Sequence, residues 1–468
     1  MFYFRGILTK KWYNLYRLPA SIDSLPKIFH GTVLSSGYCL IIVFYCANLK
    51  DQFLSRNLIS SLLVPRVSYF IMNKILSIIG IFFFLNAGNG VVGPYLQLFL
   101  QNKGFRTSEI GFLLSSFQLA GIIGPVIWAS IAAKNDDFTK PILLSIALSL
   151  ICLSISYVLP GLFFLVLPFI FIYGLCHTAQ ISLSDSLITM NLSNPAKNYG
   201  KIRIAGCLGF SISALISRLT GLVKDDSNFT ILMGICFYFS IYGFFILIFH
   251  IQKKKTIGVE EKNSNSLKTK SNINNLSSLP PVFWIGMLVI FFNTMGISLN
   301  YNFFSIFLKH RFHLESVAGL WAVGPFVEIP FFFFSGHIFS RFKLTTVWTF
   351  CLILGIIQLL LYSMASSILS VYLIRSTTGI NFALFHASCV GFVRKHSSSH
   401  NRGVAMGIYS AIEFGLAISI SGFISGIIIE NFGFEMLFQS FIIFFIIALF
   451  FNWYLNKKEN GSLLKIRN

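Results

Sequence analysis

Long apolar runs separated by short polar breaks dominate the chain from Ile75 onward. They predict helices at about 75–101, 109–133, 140–158, 163–190, 202–222 and 229–250, then 281–307, 315–339, 344–363, 369–393, 403–429 and 434–456. Each run approaches or exceeds the roughly 20 residues needed to cross a ~30 Å hydrocarbon layer as a helix. None reads as the short alternating segment of a membrane β-barrel. The pattern therefore predicts an all-α polytopic membrane protein with twelve transmembrane helices in two six-helix halves, spanning 72–250 and 281–456. The stretch 251–280 between them is rich in Lys, Asn and Ser and reads as a flexible cytoplasmic linker, and 457–468 reads as a tail.

Composition agrees: 55% of the 468 residues are hydrophobic and 11% charged, too apolar for a soluble domain of this length. A net charge of +20 could point to nucleic acid, so the placement of the cations decides. They lie mostly between the apolar runs, as an orientation signal does, and nucleic acid is not expected as a partner. Lys134, Lys140, Lys197, Lys201, Arg203, the lysines of the linker, Arg341, Lys343, Arg394, Lys395, Arg402 and the basic tail fall on one side. The other side has only Lys103, Arg106, Arg218, Lys224, Lys309 and Arg311. The asymmetry puts the linker and both ends of the twelve-helix unit in the cytoplasm, in the inner (plasma) membrane.

Residues 1–71 fall outside this scheme. The run 33–49 is barely long enough to span and lacks a cleavage pattern after it. The segment reads either as an over-extended start before Met72 or as an interfacial or spanning appendage. The eight cysteines lie in or beside apolar runs with no CxxC pair, which suits small buried side chains rather than a disulfide frame or metal site. No cofactor is expected.

Charges at membrane depth cost about 2.5–3.5 kcal/mol each even on the lenient insertion scale, so those that remain are the candidate site. Glu328 lies mid-way along the eighth helix between Pro325 and Pro330. The prolines remove backbone donors and break the helix around a carboxyl able to take and release a proton as its surroundings alternate between wet and dry. In the tenth helix Arg375, Gly379, Phe382 and His386 share one narrow arc, with Arg375 and His386 about 16 Å apart along the axis. Arg375 is either an anion or carboxylate partner or a cation snorkelling to the interface. His386 is a proton-path candidate or a packing histidine. Asp185, near the cytoplasmic end of the fourth helix, either takes part in transport or latches to Arg203. Asn89, Gln118, Asn300 and Asn302 are candidate linings for a polar cavity, while Glu413, His177 and His337 are weaker candidates. The 53 phenylalanines are discounted as an aromatic cage, because runs such as FFFF must partly face lipid.

An embedded enzyme would need a nucleophile and base in register or a metal cluster, and neither HExxH nor GxSxG occurs. The chain is not expected to be an enzyme, and a channel or receptor is a remote alternative.

Residue patterns narrow the class. Gly319-Leu-Trp321-Ala-Val-Gly324-Pro-Phe-Val-Glu328-Ile-Pro330 resembles the eighth-helix signature of the phenylpropionate permease branch of the major facilitator superfamily. Leu373-Ile-Arg375, Phe382-Ala-Leu-Phe385-His386, Arg402-Gly403-x-Ala405-x-Gly407-x-Tyr409, Pro94-Tyr95 and Arg203-x-x-Gly206-x-x-Gly209-Phe210 are similar to that branch too. The superfamily's Gly-x-x-x-Asp-Arg pattern after helix two meets Ala129-Ser-Ile-Ala-Ala133-Lys134, without the usual aspartate. The resemblance covers about 75–456. It implies proton-coupled uptake of a small organic solute by alternating access, with Glu328 as proton carrier and His386 and Arg375 near the solute or proton path. The expected partners are an aromatic or short carboxylate (alternatively a sugar or nucleoside), protons and the lipid bilayer, and the expected state is a monomer.

Overall fold

The computed structural model describes residues 74–134, 137–191, 195–257, 279–398 and 401–467. All belong to one unit, Arg66–Asn468. The segment 1–71, with its apolar run 33–49, and most of the linker lie outside the described residues.

The described residues are helical and contain no strand. Helices α1 (Lys74–Asn102), α2 (Thr107–Lys134), α3 (Thr139–Val158), α4 (Phe163–Asn191), α5 (Pro195–Thr220) and α6 (Asn228–Ile257) form the first set. The second begins with α7, which runs over 281–312 in three pieces, Pro281–Ile297, Leu299–Asn302 and Phe304–Phe312. Helices α8 (Ala318–Arg341), α9 (Leu344–Met364) and α10 (Ile368–Lys395) follow. The last helical stretch breaks at Gly433 (φ 79°, ψ −179°), a left-handed conformation that favours glycine, and this divides it into α11 (402–432) and α12 (434–467). Among the described residues, ten stretches are long and apolar enough to cross a membrane, the undivided last one among them. With α7 in pieces and the Gly433 break, the hydropathy pattern's twelve segments are all helical.

Where the structure departs from the pattern, the cause is local. Hydropathy marks the bilayer and not the end of backbone hydrogen bonding, so α6 continues to Ile257 into the predicted linker and α12 to Arg467 into the predicted tail. Helix α7 breaks where Ser298 and Asn300 turn their side chains onto the carbonyls of Met295 and Ile297, in competition with the helix ladder. Helix α11 carries a π-helical turn, Ala411–Ala417, with Glu413 inside it. Such widened turns present a side chain that a regular helix would hold at another angle.

Within the first set α1 packs on α5 and α6, and α2 and α3 on α4. Within the second, α8 packs on α10, while α7 and α9 pack on the last two helices. The sets meet through α2 against α11, α5 against α8 and α1 against α7. Gly111 lies so close to α11 that a Cβ there would stand 2.6 Å from the Gly422 carbonyl oxygen and 3.0 Å from Gly426 Cα. The six described cysteines are outside disulfides.

Candidate functional site

The candidate residues sort into three groups by depth. The first holds the sets together at one face, the one carrying the loops 103–106, 221–227 and 313–317. Ser115 and Ser419 exchange hydroxyl-to-carbonyl hydrogen bonds of 2.6 and 2.9 Å between α2 and α11. Ser211 of α5 donates to the Ala322 carbonyl of α8 at 2.9 Å. Ser305 of α7 donates to the Pro94 carbonyl at 2.7 Å, its amide donates to Gln97 Oε1 at 2.9 Å, and Trp321 Nε1 donates to its hydroxyl at 2.9 Å. Asp225, in the loop after α5, pairs with Lys309 at 3.2 Å and accepts from the Val317 amide at 3.1 Å. Burial pushes its carboxyl above the ordinary aspartate range, against the pull of Lys309 and the amide. We call this the latched face.

The second group surrounds Arg375. It is 4% exposed and so does not snorkel, which removes that alternative of the sequence reading. Its Nη1 donates to Asn300 Oδ1 at 3.0 Å, and its guanidinium lies 4.5 Å from the Phe304 ring centre and 5.0 Å from that of Trp321. Cation–π contact and a planar fork suit arginine here. Its Nε is buried without a hydrogen-bond partner. Close approach of Gly379 to the Gly324 carbonyl sets α10 against α8 at this level. Asn300 is buried and serves Arg375, with its amide nitrogen on the Ile297 carbonyl. Asn302 is likewise buried and donates to the Ile418 carbonyl at 3.1 Å.

The third group contains Glu328 and His386 and joins the two helix sets. Glu328 is half-buried, with Cys207 Sγ of α5 at 3.8 Å from its Oε2. Arg203 and Arg375 are the cations whose charge reaches it. His386 Nε2 lies 3.3 Å from Arg203 Nη1, while its Nδ1 lies 3.3 Å from Glu413 Oε2 and 2.7 Å from the Tyr409 hydroxyl. Arginine can only donate, so Nε2 accepts and the ring proton sits on Nδ1, facing the carboxylate. Phe382 stacks on the imidazole with centroids 5.3 Å apart and planes within 9°. Glu413 is 5% exposed, and the π turn of α11 brings it to His386.

The structure thus groups His386 and Phe382 with Arg203, Glu413 and Tyr409, sets Cys207 beside Glu328, and holds Arg375 with Asn300, Phe304 and Trp321 at the neighbouring level. The sequence reading gave Glu413 little weight and Arg203 only a latch role, since nothing in the spacing relates α5, α10 and α11. Asn89 and Gln118 are half-buried on α1 and α2, with no side-chain hydrogen bond among the described residues. Asp185 is half-buried on α4, beside the Ser184–Tyr242 hydroxyl pair. His177 is buried among the Phe117, Tyr173 and Phe239 rings with its Nδ1 unpartnered. No cluster of three metal-ligating side chains occurs among the described residues.

Comparison with known proteins bears on what such a centre serves. The profile of the MFS_1 like family matches residues 75–440. The uncharacterized transporter YwbF of Bacillus subtilis (strain 168) is 24% identical over 379 residues, 79% of this chain and 90% of that protein. The maltose permease of Geobacillus stearothermophilus is 22% identical over 381 residues, 80% of this chain and 92% of that one. The crystal structure of the nucleoside transporter NupG superposes with a TM-score of 0.65 at 17% identity, covering 82% of this chain and 99% of that one. With helices, centre and relatives in agreement, the chain is a multi-pass membrane transporter of the major facilitator superfamily and belongs to the MFS_1 like family.

Proposed function

We propose that this transporter is a proton symporter that imports a small organic solute by alternating access, with Glu328 taking and releasing the coupled proton. The observation that carries the reading is the setting of Glu328. It is a half-buried carboxyl in α8, which stays helical through Pro325 and Pro330 rather than breaking there as the sequence pattern suggested; the charge of Arg203 and Arg375 acts on it, and Arg203 contacts the His386–Glu413 pair. Protonation of Glu328 changes what Arg203 must balance, which couples the carboxyl to both helix sets.

Charge balance favours an anionic solute. Arg203 and Arg375 against Glu328 and Glu413 sum to zero with both carboxyls ionised. A proton on Glu328 leaves one positive charge, and a monovalent anion restores zero. The empty and fully loaded centres are then both neutral, whereas proton alone or solute alone would carry net charge through a closed, dry interior, where an ion costs several kcal/mol. A short or aromatic carboxylate fits this arithmetic. A neutral sugar or nucleoside is the second reading, supported by the unengaged amides of Asn89 and Gln118 and by the maltose permease among the relatives.

The distribution of Lys and Arg supports cytoplasmic ends and an inner-membrane location, which makes the latched face the outer one. We take the working unit to be the monomer.

The test reconstitutes the protein in vesicles and records proton movement and net current together as carboxylates, sugars and nucleosides are added. A carboxylate should drive proton uptake without current, with about tenfold accumulation per unit of pH gradient, since one unit is worth about 1.36 kcal/mol. Glu328→Gln should abolish both proton uptake and accumulation. Proton movement that survives in Glu328→Gln refutes the assignment, and proton movement accompanied by inward current selects the neutral solute.

A further inference from the structure

The ion pairs His250–Asp137, Arg311–Glu435 and Lys395–Glu459 each join residues of one helix set, but Asp225–Lys309 crosses between them. Its construction is asymmetric. The main chain of the Asp225 loop is held by the first set: Asn102 Nδ2 donates to the Asp225 carbonyl at 2.8 Å, and the Tyr95 hydroxyl donates to the Val223 carbonyl at 3.3 Å. The side chain is held by the second set, at Lys309 of α7 and at the Val317 amide, which opens α8. A carboxylate there satisfies an otherwise orphaned amide and complements the positive end of the helix dipole. Asp225 is 2% exposed, so its carboxylate has no access to water while the face stays closed, although Lys309 remains partly exposed.

We propose that Asp225 is the gate-positioning residue of the transport cycle: a carboxylate of the first helix set that caps, across the gate, the helix carrying Glu328. This inference rests on the alternating-access reading above. Glu328 lies about three turns along α8 from the capped amide, so the helix end fixed by Asp225 and the proton site belong to one continuous helix. Opening of the latched face must withdraw the carboxylate from Val317 and Lys309 together. Two other charged side chains bridge the sets on this face, Glu430 accepting from the Ser108 amide and Arg218 donating to the Tyr372 hydroxyl, but both contacts are exposed to water, as the Asp225 carboxylate is not. Opening strips this buried carboxylate of both its cation and the helix amide, and so Asp225 sets how strongly the latched state is held.

Cys207, next to Glu328, supplies a native reporter of access. A membrane-impermeant maleimide is added from each side separately to membranes carrying the full-length chain, Asp225→Ala, Lys309→Met or the double variant, with Cys207→Ser setting the background. Alkylation from the latched face should rise at least tenfold in either single variant and no further in the double, since both changes break one contact. Alkylation from the opposite face should stay fast. Asp225→Glu should restore part of the protection. Unchanged labelling from the latched face in both folded single variants overturns the proposal, and so does a rise from both faces with reaction of the buried Cys389, which would report lost folding rather than gating. If gating responds as stated while Glu328→Gln still moves protons, the proton assignment fails and the gate stands.

Discussion

Replacing Gly111 with alanine should unlatch the protein without touching any polar group. The added Cβ would stand 2.6 Å from the Gly422 carbonyl oxygen, 3.0 Å from Gly426 Cα and 3.2 Å from Gly426 N. All three are backbone atoms and cannot rotate aside, and comfortable contacts to carbon begin near 3.5 Å. Helices α2 and α11 must therefore part by about 0.5–1 Å. That would stretch the Ser115–Ser419 bonds, now 2.6 and 2.9 Å, toward or beyond useful length. Overpacking of this kind costs about 1–3 kcal/mol. The clash exists only while the face is closed, so the cost falls on the latched state alone. At about 1.4 kcal/mol per factor of ten, the equilibrium should move toward the unlatched state by about 5- to 150-fold. Nitroxide-bearing non-natural residues at the exposed positions Arg106 and Glu315 report the separation of the two helix sets by pulsed electron resonance. Gly121→Ala is the matched control, because a Cβ there meets only the Thr178 side chain, at 3.3 Å or more, within the first set. A longer distance population in Gly111→Ala and not in Gly121→Ala is expected. Identical distributions in two equally folded variants would refute the claim that this glycine contact keeps the face shut.

Two other perturbations probe the centre. Glu413→Gln removes the charge facing His386 Nδ1 and leaves Arg203 less balanced. Uphill accumulation should fall at least tenfold, and His386→Gln combined with Glu413→Gln should cost little more than either alone, because the two act as one unit. Additive losses in transport assays would separate them. Arg375→Lys keeps the charge and loses the flat contact with Phe304 and Trp321. With cation–π contacts worth about 0.5–2 kcal/mol, solute affinity should weaken about 2- to 30-fold, as read by equilibrium binding. An unchanged affinity would remove Arg375 from the solute site.

Much of the fold was legible because the bilayer imposes one rule on every segment. A span must be long, apolar and helical, so run length and hydropathy alone give the order of helices and the class. Glu328 was legible for the same reason, since a carboxyl between two prolines inside an apolar run is costly unless used. Arg375 was visible as a cation at depth, but whether it snorkelled was not, because its aromatic seat comes from α7 and α8. Glu413 was visible only as an isolated charge, and Arg203 as a possible latch for Asp185 and part of a family-like motif. Their meeting at His386 depends on a π turn in α11 and on the packing of α5 across to the second set, and neither leaves a signature in spacing along one helix.

By itself, then, the sequence determined the class, the helical segments, the charge asymmetry of the loops and the presence of an expensive carboxyl, all of which follow from the cost of placing each residue in hydrocarbon. The tertiary structure decided which charges share a centre, which face of the molecule is latched, and that Asp225 of one helix set caps a helix of the other. Those relations join residues far apart in the chain through distances of a few ångströms, and only the packing of the helices fixes such distances.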